Sequence, residues 1–265
     1  MKNYENLAYE FKEGVAIITL NRPDISNALT IALAEELNLC LNSISDDEAV
    51  RSVIITGVGK SFSSGGDLKG VKTALDEEKT QEFIGELVKP IYEIALKIRK
   101  VPKPIIAAVN GYAMGAGMNL SLSCDLIIAS DEAVFCESFI NLGLIPGMGG
   151  TFFLPRLVGP IKAAELFFTG KPITAKEAKS IGMLNEIVAP DKLMSTAWDW
   201  AINLARQPTR AIARTKALLN QTYMNSLEDH LNLEREIQVL TSGDQDCAEG
   251  VNSYWDKRMP NFKGK

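Results

Sequence analysis

The feature that most constrains this chain is a glycine-rich turn between a short apolar run and a helical segment. Residues 109–119 read VNGYAMGAGMN and follow a β-like run at residues 104–109. Glycine permits close approach of backbones and unusual φ/ψ angles. The helix start that follows offers unpaired N–H groups and the positive end of a dipole. Such a turn is suited to hold an anion, or an oxygen that becomes negative during a reaction.

A second turn of the same kind occurs earlier in the chain. The run SVIIT at residues 52–56 is typical of a buried strand, and GKSFSSGGDL follows it at residues 59–68. Asp67 is placed to cap the helix that comes next. Because each turn follows a short apolar strand, the pair suggests two backbone donors aimed at one atom.

Composition narrows the class of protein. With 265 residues, 46% of them hydrophobic, the chain can bury the core of one large domain. A net charge of −5 gives no electrostatic reason to expect nucleic acid binding. No apolar run approaches the length of a membrane span, and the N-terminus has no apolar signal region. The four cysteines lack CxxC spacing, and no cluster has metal-ligand spacing. We therefore expect a cytoplasmic protein with reduced thiols and no metal.

The order of local patterns predicts an α/β fold with a largely parallel sheet. A hairpin is expected around Glu13 and Gly14, and Thr30 is placed to cap the helix that follows. Apolar strands then alternate with helical segments, one of which spans residues 76–99 and is expected to be interrupted near Pro90.

Strand patterns end near residue 190. Thr174 is placed to cap a short helix before the last strand, and every later pattern is helical. We predict a core of residues 1–190 and a helical C-terminal region of residues 191–265. The only histidine, His230, lies in a polar helix without a GxSxG motif, which argues against a Ser-His-Asp hydrolase.

Four motifs in this order resemble the crotonase superfamily of enoyl-CoA hydratases and isomerases. The resemblance extends over nearly the whole chain. The motifs are NRPDISNAL at residues 21–29, SFSSGGDL at 61–68, AAVNGYAMGAGMNLSLSCDLIIAS at 107–130 and LGLIPGMGGTFFLPRLVG at 142–159.

The resemblance implies a spiral core of ββα units, with a helical C-terminal region that takes part in trimerisation. Members assemble as trimers or dimers of trimers and act on acyl-CoA thioesters, with coenzyme A as part of the substrate and no separate cofactor. Two backbone N–H groups bind the thioester carbonyl oxygen and stabilise the enolate. Matched by position, we assign these donors to Ser64 and Ala116.

Coenzyme A contacts also follow from the resemblance. Lys257 matches a lysine that family members offer to the CoA phosphates of a neighbouring subunit. The other expected contacts are Arg22, Asn27, Ala28, Ser61, Ser63, Gly65, Gly66 and Asp67. For Asp67, the capping role is the more expected one.

The acid and base positions of the family are not filled by carboxylates. The two glutamates of the hydratases correspond to Asn119 and Phe139, and the acid of one isomerase subgroup corresponds to Gly147. Glu137 is the alternative. If the local backbone is a strand, its side chain points to the same side as Phe139; otherwise it caps or flanks the following helix. Ser138 is a further hydroxyl without an evident base.

Isomerase or atypical chemistry is therefore favoured over plain hydration. Hydrolysis or decarboxylation of a CoA thioester is an alternative, since decarboxylation forms an enolate without a protein base. A non-catalytic acyl-CoA-binding subunit is the alternative from another class.

Overall fold

The computed structural model describes residues 4–265, and a six-stranded sheet lies at its centre. The order of this sheet is β1-β2-β3-β5-β7-β10; β1 and β2 form an antiparallel hairpin, and the other neighbours are parallel. Glu13 and Gly14 both have positive φ angles in the hairpin turn, as predicted. The strands are β1 (Leu7–Lys12), β2 (Val15–Leu20), β3 (Ser52–Gly57), β5 (Ile105–Val109), β7 (Leu126–Ser130) and β10 (Glu186–Val188).

A second, four-stranded sheet has the order β4-β6-β8-β9, parallel except for its last pair. Strands β3, β5 and β7 of the large sheet each lead directly into a strand of the small one. The chain thus repeats a strand, a second strand and a helical segment three times, which confirms the predicted spiral of ββα units. The small sheet contains β4 (Ser61–Ser63), β6 (Tyr112–Met114), β8 (Val134–Cys136) and β9 (Ile173–Thr174).

Eleven α-helices are present in residues 4–265. The predicted caps are confirmed: the hydroxyl of Thr30 accepts from the N–H of Leu33 at 3.2 Å, and Thr174 forms a capping box with Glu177. The helices are α1 (Ile31–Asp46), α2 (Leu68–Asp76), α3 (Thr80–Lys100), α4 (Ala116–Ser123), α5 (Gly150–Val158), α6 (Pro160–Thr169), α7 (Ala175–Ser180), α8 (Leu193–Ala205), α9 (Thr209–Gln221), α10 (Leu227–Ser242) and α11 (Gln245–Trp255).

The predicted interruption at Pro90 is wrong, because α3 continues through this residue. The break lies earlier, between α2 and α3, where Glu78 has a φ of 59°. A proline inside a helix costs roughly 3 kcal/mol. Helix α3 offsets that cost by burying Leu87, Ile91 and other apolar side chains, and it packs extensively against α1.

The two faces of the large sheet bury different helices. Val53 and Ile55 of β3 face the core that contains α1 and α3, and Ile54 between them faces α8. This alternation follows from the two-residue period of a strand. Helix α8 therefore packs on the sheet, although it lies beyond residue 190. No helix within residues 4–265 has the length and apolar character needed to cross a membrane.

Candidate active site

The two glycine-rich turns meet at one edge of the small sheet, because β4 and β6 are parallel neighbours. A Cβ atom on Gly117 would lie 2.3 Å from the carbonyl oxygen of Ser63, and one on Gly65 would lie 2.7 Å from that of Met114. Real Cβ atoms do not come this close to backbone, so glycine at both positions is what lets the turns touch. The partnership predicted from the sequence is present in the fold.

Among the residues of these turns that line one cavity, two have N–H groups without an acceptor within residues 4–265. Ala116 is the first residue of α4, and the residue before it, Gly115, provides no side-chain cap. The other group belongs to Gly66, whose carbonyl accepts from Leu68 but whose N–H is unpaired. Ala116 and Gly66 line the same cavity.

The donor assigned to Ser64 needs correction. Its N–H donates to the carbonyl oxygen of Ser26 at 2.9 Å, so it is already used within the fold. Its hydroxyl makes a long contact of 3.4 Å with the carbonyl oxygen of Ile25. Ser64 still lines the cavity, but its backbone donor points into the neighbouring loop rather than being free for a ligand.

The cavity beside the turns is largely aliphatic. Helices α2 and α3 form one wall, and the segment before α5 forms the other. The apolar side chains in its lining are Leu68, Val71, Ile84, Leu87, Val88, Ile91, Phe139, Leu142, Leu144, Ile145 and Met148. Water-excluding walls strengthen any electrostatic interaction that the two N–H groups make.

No carboxylate lines this cavity within residues 4–265. Phe139 is part of the lining, as is the backbone of Gly147. Asn119 is fully buried behind the wall, where its side-chain Nδ2 donates to the carbonyl oxygen of Gly147 at 2.9 Å. At the position that the resemblance matches to a hydratase glutamate, this chain therefore has an amide that fixes the loop before α5.

Glu137 is the buried acid next to this wall. Its side chain is 1% exposed, and burial raises its pKa to about 8, although a hydrogen bond from Asn119 lowers it somewhat. That bond joins Asn119 Nδ2 to Glu137 Oε2 at 3.4 Å. Glu137 is the N-cap residue of the short 3₁₀ helix Ser138–Leu142, so it flanks that helix as expected, but its side chain makes no capping hydrogen bond. A carboxyl with this pKa is mostly protonated at neutral pH.

Two oxygens in this cluster have no partner within the described part of the chain, namely Glu137 Oε1 and Asn119 Oδ1. Burying an unpaired acceptor is costly. A proton on Glu137 converts one acceptor into a donor, which agrees with the raised pKa. The Glu137 carboxyl does not line the cavity, whereas the next residue, Ser138, does.

Most of the residues expected to contact coenzyme A come together in one loop region. Asn27 is fully buried and donates from Nδ2 to the carbonyl oxygens of Ser61 at 2.8 Å and Val58 at 3.0 Å. The hydroxyl of Ser63 donates to the carbonyl oxygen of Asn27 at 2.8 Å. Ala28 continues this loop and is buried. The side chains of Asn27 and Ser63 thus fasten the loop to β4.

The charged members of the same set are more exposed. Arg22 forms an ion pair with Asp24 at 3.1 Å and donates to Asn6 Oδ1 at 2.9 Å. Asp67 caps α2 by accepting from the N–H of Gly70 at 2.9 Å, which confirms its capping role. Lys257 is exposed after α11, outside the loop region that holds the other members.

The contribution of α3 to the cavity was not predicted. Ile84, Leu87, Val88, Ile91 and Tyr92 recur at spacings of three and four residues, as one face of a helix does. That periodicity is visible in the sequence. It identifies a buried face but does not say that the face borders a cavity.

The fold and the paired turns match one family of enzymes. The family model described as enoyl-CoA hydratase/isomerase matches residues 10–265. The chain belongs to this enoyl-CoA hydratase/isomerase family, which confirms the resemblance to the crotonase superfamily.

Relatives within the family differ in the reaction that their names describe. The chain is 37% identical to 1,2-epoxyphenylacetyl-CoA isomerase of Escherichia coli over 96% of its own length and 97% of that protein. It is 36% identical to crotonyl-CoA hydratase of Syntrophomonas wolfei, with 99% of each chain covered. The crystal structure of an enoyl-CoA hydratase from Bacillus anthracis superposes with a TM-score of 0.92 at 34% identity, covering 98% of this chain and 100% of that one.

Proposed function

We propose that this protein is an enoyl-CoA isomerase that moves a carbon–carbon double bond through a thioester enolate. The N–H groups of Gly66 and Ala116 bind the thioester oxygen, and Glu137 carries the proton. The observation that carries the proposal is the buried, largely protonated Glu137 behind the wall of a cavity whose own lining contains no carboxyl in residues 4–265.

The chemistry requires one proton carrier and one place for negative charge. A base removes a proton from C2 of a 3-enoyl thioester, and the electron pair passes onto the carbonyl oxygen. The two N–H groups stabilise that oxygen, and each such donor contributes about 3 kcal/mol to lowering a barrier of this kind. The same carboxyl returns its proton to C4. A double-bond shift therefore needs only one acid, whereas hydration needs an acid and a base.

Access to the substrate requires the Glu137 carboxyl to rotate toward the cavity wall that Ser138 forms. A general base acts best when its pKa is near the working pH, and about 8 meets this condition. Because the ionised form is the base, the value of kcat/KM should rise with pH until about 8.

The test uses chromatographic separation of 2-enoyl-, 3-enoyl- and 3-hydroxyacyl-CoA after incubation with each enoyl thioester. Interconversion of the two enoyl forms supports the proposal, and a 3-hydroxyacyl product overturns it in favour of hydration. Glu137→Gln should lower isomerisation at least a hundredfold. Glu132→Gln is the matched control, because Glu132 is exposed and five residues away. Equal rates in both variants would remove Glu137 from the mechanism.

Decarboxylation of a carboxyacyl-CoA is the second candidate. The lining without a carboxyl favours it, since the electrons come from the substrate carboxylate and no protein base is needed. Release of carbon dioxide from malonyl-type thioesters, unaffected by Glu137→Gln, would support it. Thioesters that bind and return unchanged would instead support a non-catalytic acyl-CoA-binding subunit.

We also propose that the chain works as a homotrimer or a dimer of trimers. Helix α10 supports this with exposed apolar side chains, among them Leu227, Leu231, Val239 and Leu240. In such an assembly Lys257 of one subunit and Arg22 of another would bind the CoA phosphates as charged donors. Light scattering that gives the mass of a single chain would contradict this arrangement.

A further inference from the structure

Tyr92 of α3 fills the space beside Gly147. A Cβ atom on Gly147 would lie 2.8 Å from the Tyr92 hydroxyl oxygen and 3.2 Å from its Cε1 atom. The phenol therefore occupies the space that any side chain at position 147 would need. Where the resembled isomerase subgroup carries an acid, this chain has a phenol hydroxyl supplied by a neighbouring helix.

The Tyr92 hydroxyl has no hydrogen-bond partner within residues 4–265, although it belongs to the cavity lining. Its neighbours in that lining are aliphatic, including Val88 and Ile91. Tyr92 is 43% exposed, so its hydroxyl stays solvated until an acyl chain covers it. Once covered, the hydroxyl needs a partner, because an unpaired buried donor carries its full desolvation penalty.

The position of Tyr92 places it along the acyl chain rather than at the thioester. Leu87 of the same helix lies nearest to the turn, 4.0 Å from where a Cβ on Gly66 would be. Tyr92 lies five residues further along α3, about 7.5 Å from Leu87 along the helix axis. The hydroxyl of Ser138 lies at the other turn, 3.2 Å from where a Cβ on Gly115 would be. Tyr92 is thus the hydroxyl placed to meet the acyl group beyond the reacting carbons.

We propose that Tyr92 is a specificity-determining residue whose hydroxyl hydrogen-bonds an oxygen substituent on the acyl chain. The preferred substrate class is an oxygen-bearing acyl thioester, rather than the hydrocarbon thioester of the same length. This inference rests on the proposed acyl-CoA function. The discrimination arises because a hydrocarbon chain covers the hydroxyl without pairing it, whereas an oxygen substituent replaces the lost water.

The test measures binding by calorimetry, with saturated thioesters that cannot be isomerised. Hexanoyl-CoA is compared with its hydroxylated derivatives, which carry the hydroxyl on successive carbons from C4 to C6. The wild type should bind one derivative about tenfold more tightly than hexanoyl-CoA. Tyr92→Phe should lose this preference and should bind hexanoyl-CoA at least as tightly as the wild type does, because no hydroxyl is left to desolvate. Tyr112→Phe is the matched control, because Tyr112 is exposed on β6 and outside the cavity lining, and it should behave as the wild type.

Two results overturn the inference separately from the proposed function. The role of Tyr92 is overturned if the wild type binds all members of the series equally, or if Tyr92→Phe weakens the binding of all of them equally. In both cases the protein still binds acyl-CoA, so the proposed function is unaffected. If the wild type binds no thioester at all, the proposed function is overturned and this inference with it.

Discussion

Replacing Glu137 with Gln tests the buried carboxyl independently of any substrate, because Gln keeps the shape of the protonated acid and cannot titrate. Burial raises the pKa of Glu137 from 4.5 to about 8. Between these values the folded protein holds a proton that the unfolded chain releases, so the free energy of unfolding falls as pH rises and levels off above about pH 8. At about 1.4 kcal/mol per pH unit, the free energy of unfolding falls by at most ~5 kcal/mol over this range. The Gln variant does not show this fall, because its side chain does not titrate.

We therefore expect Glu137→Gln to be ~2–4 kcal/mol more stable than the wild type near pH 8, and about equal to it near pH 4.5. Urea unfolding followed by circular dichroism over this pH range measures the difference, in which the other titrating groups cancel. Glu132→Gln, at an exposed site, should show no such trend. A stability gap that stays constant with pH would refute the reasoning, because it would mean that Glu137 ionises as readily in the folded protein as in the unfolded chain.

Three further substitutions test the packing around the cavity. Gly117→Ala places a Cβ 2.3 Å from the Ser63 carbonyl oxygen. Urea unfolding should show a loss of ~2–3 kcal/mol in the free energy of unfolding, and the initial rate of turnover should fall because the turns separate. Gly147→Ala should lower the free energy of unfolding by ~1 kcal/mol, because the new Cβ displaces Tyr92. The loss should be smaller in a Tyr92→Phe background. A double-mutant cycle measured by thermal unfolding tests this, and the absence of coupling would contradict the contact. Asn119→Ala removes the donor to Glu137 Oε2 and leaves the Gly147 carbonyl with only the N–H of Gly150, so chemical unfolding should show a loss of about 1–3 kcal/mol in the free energy of unfolding.

The features that the sequence predicted correctly depend on short-range chemistry. The caps at Asp67 and Thr174 are hydrogen bonds to residues three positions away, so the local pattern contains both partners. The pairing of the two turns followed from glycines after consecutive strands. The ββα spiral came from resemblance rather than from periodicity.

The features that were missed depend on contacts distant in the chain. Ser64 is excluded as a donor by the carbonyl of Ser26, and no local pattern shows which N–H in a turn is already paired. Pro90 stays inside a helix because of tertiary packing, which a local breaker rule does not include. The contact between Tyr92 and Gly147 joins a helix to a loop across the cavity, so neither residue signals it alone.

The contact between Gly117 and the Ser63 carbonyl has a consequence for how this scaffold diverges. The two turns are held together by main-chain atoms in close contact, and the Ser63 hydroxyl adds one side-chain contact by accepting from the N–H of Gly65 at 3.3 Å. The groups at the neighbouring positions 119, 137, 139 and 147, which are an amide, a carboxyl, an aromatic ring and a hydrogen, lie outside this contact between the turns. Under the proposed function, one main-chain arrangement can serve different proton-carrying side chains, and relatives of similar identity are named hydratase in one case and isomerase in another.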